Sequence, residues 1–359
     1  MYDAPKLEDC KLYLNKTQKY IQDGSYTAIT DLSHEYYNIK YPIRELGKKL
    51  RSSNDGKIPV CTEELYSSKD EMINEAINFF YSLSSNYGAA IAKVVKNPEV
   101  YDKIHLQKVG YDTGYTTLTS DNKIQLRLDI TPTAQGMVAL CQELANAHVL
   151  SQSIDNERVE ESKEDHFVDK TVNMFVSGCI TEYLCQNANL PDHEQQILRF
   201  ESMKELMFDC NKLQADSELF KEVIEKHPEI FQSSIENFNE ENFAKALEDL
   251  SRVRDESLMN AINARIKDIA YDGKTTFSVR GDVAKRLAVL KMAGKLDTSK
   301  NIVADKIVEG IINGQMLIEA TGMEEEDIIR QGSNLVNDLD LLQENQKVPL
   351  PKYPNNNAE

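Results

Sequence analysis

Apolar residues recur three and four apart over most of the chain. Ile29 to Leu50 and Lys69 to Lys96 carry them in this way, so residues 1–104 read as mostly helical. Pro42 interrupts the first of these segments, and further breaks fall at Ser52 to Gly56, at Pro59 and at Asn97-Pro98. The period changes after Gly110. Gly114-Tyr115-Thr116-Thr117-Leu118 is strand-like, Asp121-Asn122 has turn chemistry, and Ile124-Gln125-Leu126-Arg127-Leu128-Asp129-Ile130 alternates apolar and polar without a fault. That alternation is the period of a half-buried strand. Thr131-Pro132-Thr133 then opens a helix, with Thr131 as its cap and Pro132 in its first turn.

Along that helix Ala134, Met137, Val138, Cys141, Leu144, Ala145 and His148 form one stripe at about 100° per residue. Gln142 and Asn146 flank the stripe one turn apart, and Glu143 lies farther round. Ser151 to Asp165 is polar and acidic and reads as a loop. Val168 to Gln186 returns to helical spacing, and from Pro191 onward the pattern is helical, with breaks near His227-Pro228, Asp272-Gly273, Gly294 and Thr321-Gly322. Thr276 to Val279 is a short strand candidate, and the Pro- and Asn-rich tail from Val348 reads as disordered. The expected fold is α+β and predominantly helical, with a small sheet packed on the Thr131 to Leu150 helix. The expected division is 1–190, a helical region 191–345 and a disordered tail 346–359.

Composition narrows the function classes. A net charge of −18 disfavours nucleic acid as a partner, because phosphate binding wants a basic face. No apolar run reaches the length of a membrane span, and Met1 to Lys11 has no signal-peptide core. The six cysteines (Cys10, Cys61, Cys141, Cys179, Cys185, Cys210) form no CxxC pair and several sit in apolar helical patterns, so reduced thiols and a cytoplasmic location are expected. Usage rich in Lys, Asn and Ile, with tyrosine but no tryptophan, resembles proteins of A+T-rich intracellular bacteria, including secreted effectors.

Gln142-Glu143-Leu144-Ala145-Asn146-Ala147-His148 resembles the zinc-peptidase helix motif H-E-L-A-H-A-H with both metal-binding histidines replaced. Such a helix needs His at i and i+4 to face one ion, with the Glu as general base. The surroundings resemble the gluzincin family too. An alternating strand (Ile124 to Ile130) precedes the helix, and Gly178-Cys179-Ile180-Thr181-Glu182-Tyr183-Leu184 follows it, like the segment that carries the third ligand. The resemblance covers roughly Gly110 to Leu190. It implies that Gln142, Asn146 and Gly178 stand at former metal positions and that Glu143 is a vestigial general base. It also implies that Ile124, Leu126, Leu128, Glu182 and Tyr183 line the former substrate cleft, with Ile124 to Ile130 as its edge strand. Amide oxygens are poor zinc donors and glycine offers no side chain, so the resemblance implies no metal and no cofactor.

Three functions follow as expectations. The first is a catalytically inactive metallopeptidase-like protein that binds a peptide or protein partner in the former cleft, by strand addition. The second is an active hydrolase with relocated chemistry. For this, Cys141, His148 and Glu182 are the candidate soft-metal set, and a Cys-His nucleophile pair stays open. The third is a helical adaptor or bacterial effector without zincin ancestry. His34-Glu35 and His193-Glu194 read as solvent-facing pairs, and the chain has no P-loop, dinucleotide fingerprint or G-x-S-x-G elbow.

Overall fold

A computed structural model describes residues 6–22, 33–97, 101–108, 112–119, 121, 123–155, 166–227, 240–272, 276–294, 299–310 and 324–330. Four helices come first: α1 (Leu7–Gln22), α2 (Ser33–Ser52), α3 (Lys69–Leu83) and α4 (Ser85–Lys96). Three strands follow, β1 (Tyr101–Leu106), β2 (Thr113–Leu118) and β3 (Ile124–Ile130). Then come α5 (Ala134–Asp155), α6 (His166–Asn187) and α7 (Asp192–Leu219), which runs on through a π-helical turn at Phe220–Glu225. The last described helices are α8 (Glu240–Val253), α9 (Glu256–Lys267) with a π-helical turn at Asp268–Asp272, α10 (Thr276–Gly294), α11 (Ser299–Val308) and α12 (Glu325–Arg330). The fold is α+β and predominantly helical, as the periodicity predicts. No described helix is long and apolar enough to cross a membrane. The expected tail lies outside the described residues.

The sheet order is β1-β3-β2, with β1 parallel and β2 antiparallel to β3. Ile124, Leu126, Leu128 and Ile130 are all buried, while Arg127 between them is exposed, so the strict alternation of β3 is a buried face laid on α5. β3 is therefore the central strand. This corrects the expectation that Ile124 to Ile130 edges a cleft: both sides of its backbone are already paired, and no partner strand can add to it.

Five local expectations are also corrected. Tyr101 to Ile104 fall in β1 rather than in a helical region, because six residues are too few to show a period and the parallel ladder to β3 decides. α2 continues through Pro42. An internal proline costs about 3 kcal/mol, but Ile39, Ile43, Leu46 and Leu50 are buried on the face packed against α7, and that burial outweighs it. Ser151 to Asp155 extend α5, where the Gln152 side chain donates to the carbonyl of Val308. Thr276 to Val279 open α10, since Val279 and Val283, four apart, are both buried. At the head of α5 the cap is Thr133, whose Oγ1 accepts from the Gly136 N–H at 3.3 Å.

Two apolar cores are joined by α7. The larger holds α2 to α6, the buried face of β3, the first part of α7, and residues of α10 and α11. The smaller holds Cys10, Tyr13 and Leu14 of α1, Ala215, Leu219 and Val223 around the end of α7, and the apolar faces of α8 and α9. Neither core respects the expected boundary at residue 190. α1 joins the late helices, and α10 and α11 return to the early ones.

Candidate functional site

The repeat of a helix brings side chains three and four apart to one face. On α5 this aligns Gln135, Val138, Ala139, Gln142 and Glu143 along a cavity of about 340 Å³. α6 supplies Asn173, Met174 and Ser177, and α7 supplies Leu198, Glu201, Ser202, Lys204 and Glu205. Asp112, just before β2, completes the lining. The other faces of the three helices close on the main core.

Hydrogen bonding fixes much of this lining. Asp112 Oδ1 accepts from the Thr131 N–H at 2.6 Å and from the Thr131 hydroxyl at 2.9 Å. Burial raises the Asp112 carboxyl above its usual range, and the two Thr131 bonds only partly oppose that. The Glu143 carboxylate accepts from the Thr116 hydroxyl at 2.5 Å and from Asn146 Nδ2 at 3.4 Å. Lys204 is ion-paired with Glu201. The buried Oδ1 atoms of Asn146 and Asn173 have no hydrogen-bond partner among the described residues.

The positions singled out in the sequence are only partly brought together. Gln142 and Glu143 face the cavity. Asn146 is not part of its lining and turns toward Glu143. Gly178 lines a separate, far smaller pocket with Glu182, Arg199, Leu290 and Ala293, and a Cβ built there would stand 2.8 Å from the Ala293 Cβ. Ile124, Leu126 and Leu128 are core residues, not cleft residues. Glu182 pairs with Arg199 at 3.3 Å. The Tyr183 hydroxyl donates to Glu75 at 2.8 Å, and burial, helped by that carboxylate, pushes the phenol up to about 12.

The remaining candidates are dispersed. Cys141 is fully buried beside Met137, with Sγ 3.8 Å from its sulfur, and His148 packs on the Tyr87 ring at 5.8 Å. Among the described residues no group of three or more His, Cys, Asp or Glu side chains could hold a metal ion. All six cysteines are free. Burial raises the thiols of Cys61, Cys141, Cys179, Cys185 and Cys210, which disfavours the thiolate a nucleophile needs. Glu194 is not solvent-facing as expected: it is 1 % exposed and accepts the N–H groups of Thr62 at 2.7 Å and Glu63 at 2.9 Å. It thereby pins the segment before α3 against the start of α7. The His34 side chain lies outside what is described.

Sequence reasoning missed the α6 and α7 walls. A signal for them exists. Asn173 and Ser177 are four apart in an otherwise apolar stretch, and Glu201, Lys204 and Glu205 repeat at three and four. The lining combines four carboxylates, three amides, two serine hydroxyls and one lysine with the apolar side chains of Val138, Ala139, Met174 and Leu198. Compared with protein-family models, curated proteins and solved structures, the chain matches none.

Proposed function

We propose that the chain is a non-catalytic binding protein, a catalytically inactive relative of the metallopeptidases, that holds a segment of a peptide or protein partner in the cavity between α5, α6 and α7. The observation that carries this reading is the arrangement of Gln142 and Glu143. Both face the cavity, and the one carboxylate placed to act as a base is bound to Thr116 and Asn146. Zinc hydrolysis needs three protein ligands and an open position for water. Amides at 142 and 146, and a glycine at 178 packed against α10, supply none of the imidazole or carboxylate donors. A cavity of about 340 Å³ falls in the range of small-ligand and side-chain pockets.

A second reading shares the binding role but not the ancestry, a helical adaptor in which the Q-E-L-A-N run is coincidental. The central position of β3 and the packing of Gly178 against Ala293 favour it.

The test is selection from a displayed random peptide library on the full chain and on Ala139→Trp, which puts an indole into the cavity. Peptides should enrich on the natural chain, lose at least ten-fold in affinity on Ala139→Trp, and be recovered intact after incubation. Equal affinity for both proteins, or no enrichment, overturns the reading. Cleavage that disappears in Glu143→Ala would replace it with an active hydrolase.

A further inference from the structure

The cavity has a sign. Asp112, Glu143, Glu201 and Glu205 bring four carboxylates to its lining against a single lysine, Lys204, which is already paired with Glu201. Glu205 is 64 % exposed and stands 3.9 Å from Arg286, whose guanidinium is held more closely by Asp209, so carboxylate charge still extends into solvent beside the cavity. Asn173, half-buried in the lining, carries an Oδ1 that water does not reach and that has no donor among the described residues, so a bound group meets it only after the amide rotates. An unpaired acceptor in a low-dielectric site costs free energy until a donor arrives. Val138, Ala139, Met174 and Leu198 add an apolar wall.

Resting on the binding reading above, we infer that the occupant is a cationic side chain of the partner, an arginine in an exposed, extended segment. Its methylenes lie on the apolar wall, and its guanidinium faces the carboxylates and Asn173. Arginine fits better than lysine because its five N–H donors spread over several acceptors at once, while an ammonium is a compact point charge. A bare metal ion fits poorly, since no described cluster of three donors converges. An anion or a phosphate is repelled. The net charge of −18 steers the same class of partner from a distance, with a dependence on salt.

The experiment uses the full chain labelled with ¹³C at the methionine methyls, Met174 being assigned through Met174→Leu. The probes are two capped pentapeptides, Ac-Ala-Ala-Arg-Ala-Ala-NH₂ and its citrulline isostere, which keeps the shape and removes the charge. The arginine peptide should move the Met174 signal in a saturable way and bind at least five-fold more tightly than the citrulline peptide. Glu201→Gln and Glu205→Gln, both at solvent-accessible positions, should each weaken the arginine peptide several-fold and leave the citrulline peptide unchanged. Equal binding of the two peptides overturns the inference while leaving the cavity a binding site. Movement with neither peptide overturns it as well, and the library selection then decides the broader reading separately. Enrichment of neutral or acidic sequences in that selection would retain a binding cavity without an arginine.

Discussion

Gly178 is where a hydrogen atom in place of a side chain matters most. A Cβ there would sit 2.8 Å from the Ala293 Cβ, closer than two carbon atoms tolerate, and both are buried helix positions. Gly178→Ala should therefore lower the unfolding free energy by about 1–3 kcal/mol through overpacking, despite the helix propensity gained, roughly 1 kcal/mol. Adding Ala293→Gly should recover most of the loss. Urea unfolding of the single and double variants checks this, and a neutral Gly178→Ala would mean that α6 and α10 separate freely at this point. The position also marks how far the sequence could be read. That 178 lies on a helix was legible from the apolar spacing of Val172 to Leu184. What faces it was not, because Ala293 arrives from α10, far downstream, and no local period encodes that pairing. Gln142 and Glu143 were legible as polar positions beside a buried stripe, whereas Thr116, which donates to Glu143, sits on another element and was not.

α7 is the element that ties the two cores together, and its second half carries the most deeply buried ion pair described. Arg265 on α9 brings Nε to within 2.9 and 2.8 Å of the two Asp216 oxygens, with both side chains at most 1 % exposed. The other two guanidinium nitrogens of Arg265 have no hydrogen-bond partner among the described residues. Removing one partner strands a buried charge, so Asp216→Ala should cost about 3–5 kcal/mol, while Asp216→Leu with Arg265→Met should come out near neutral. Amide exchange would localise the effect: α1, α8 and α9 should lose protection before the sheet and α5 do. A uniform loss across both cores would show that they unfold as one unit. The elements themselves were mostly legible, α6 and α7 from their period and β3 from its alternation. The misreadings share a cause. Pro42 and Thr276 to Val279 follow local preference in sequence, Tyr101 to Ile104 are too few to show a period of their own, and at each of them tertiary packing or strand pairing decided the outcome.

At the scale of the whole molecule, the buried thiols and phenols set a direction for stability against pH. Burial pushes Cys185 up to about 11 and Cys179 up to about 12, and it raises Cys61, Cys141 and Cys210 along with Tyr13, Tyr66 and Tyr87. An unfolded thiol titrates near 8.5 and an unfolded phenol near 10. Folded groups therefore keep protons that the unfolded chain releases. The stability this contributes is complete below about pH 8.5 and is lost as pH rises toward the folded values, by up to about 1.4 kcal/mol per pH unit for each fully buried thiol. A chain already at −18 becomes more negative over the same interval, and self-repulsion acts in the same direction. Urea midpoints should thus hold steady from pH 7 to 8.5 and fall steeply by pH 10. Cys179→Ala should start from a lower midpoint, having lost a packed sulfur, yet decline with a shallower slope because one such proton is gone. A slope unchanged by that substitution would mean that Cys179 titrates alike in the folded and unfolded chain, and so that water reaches the seam where α6 meets α10.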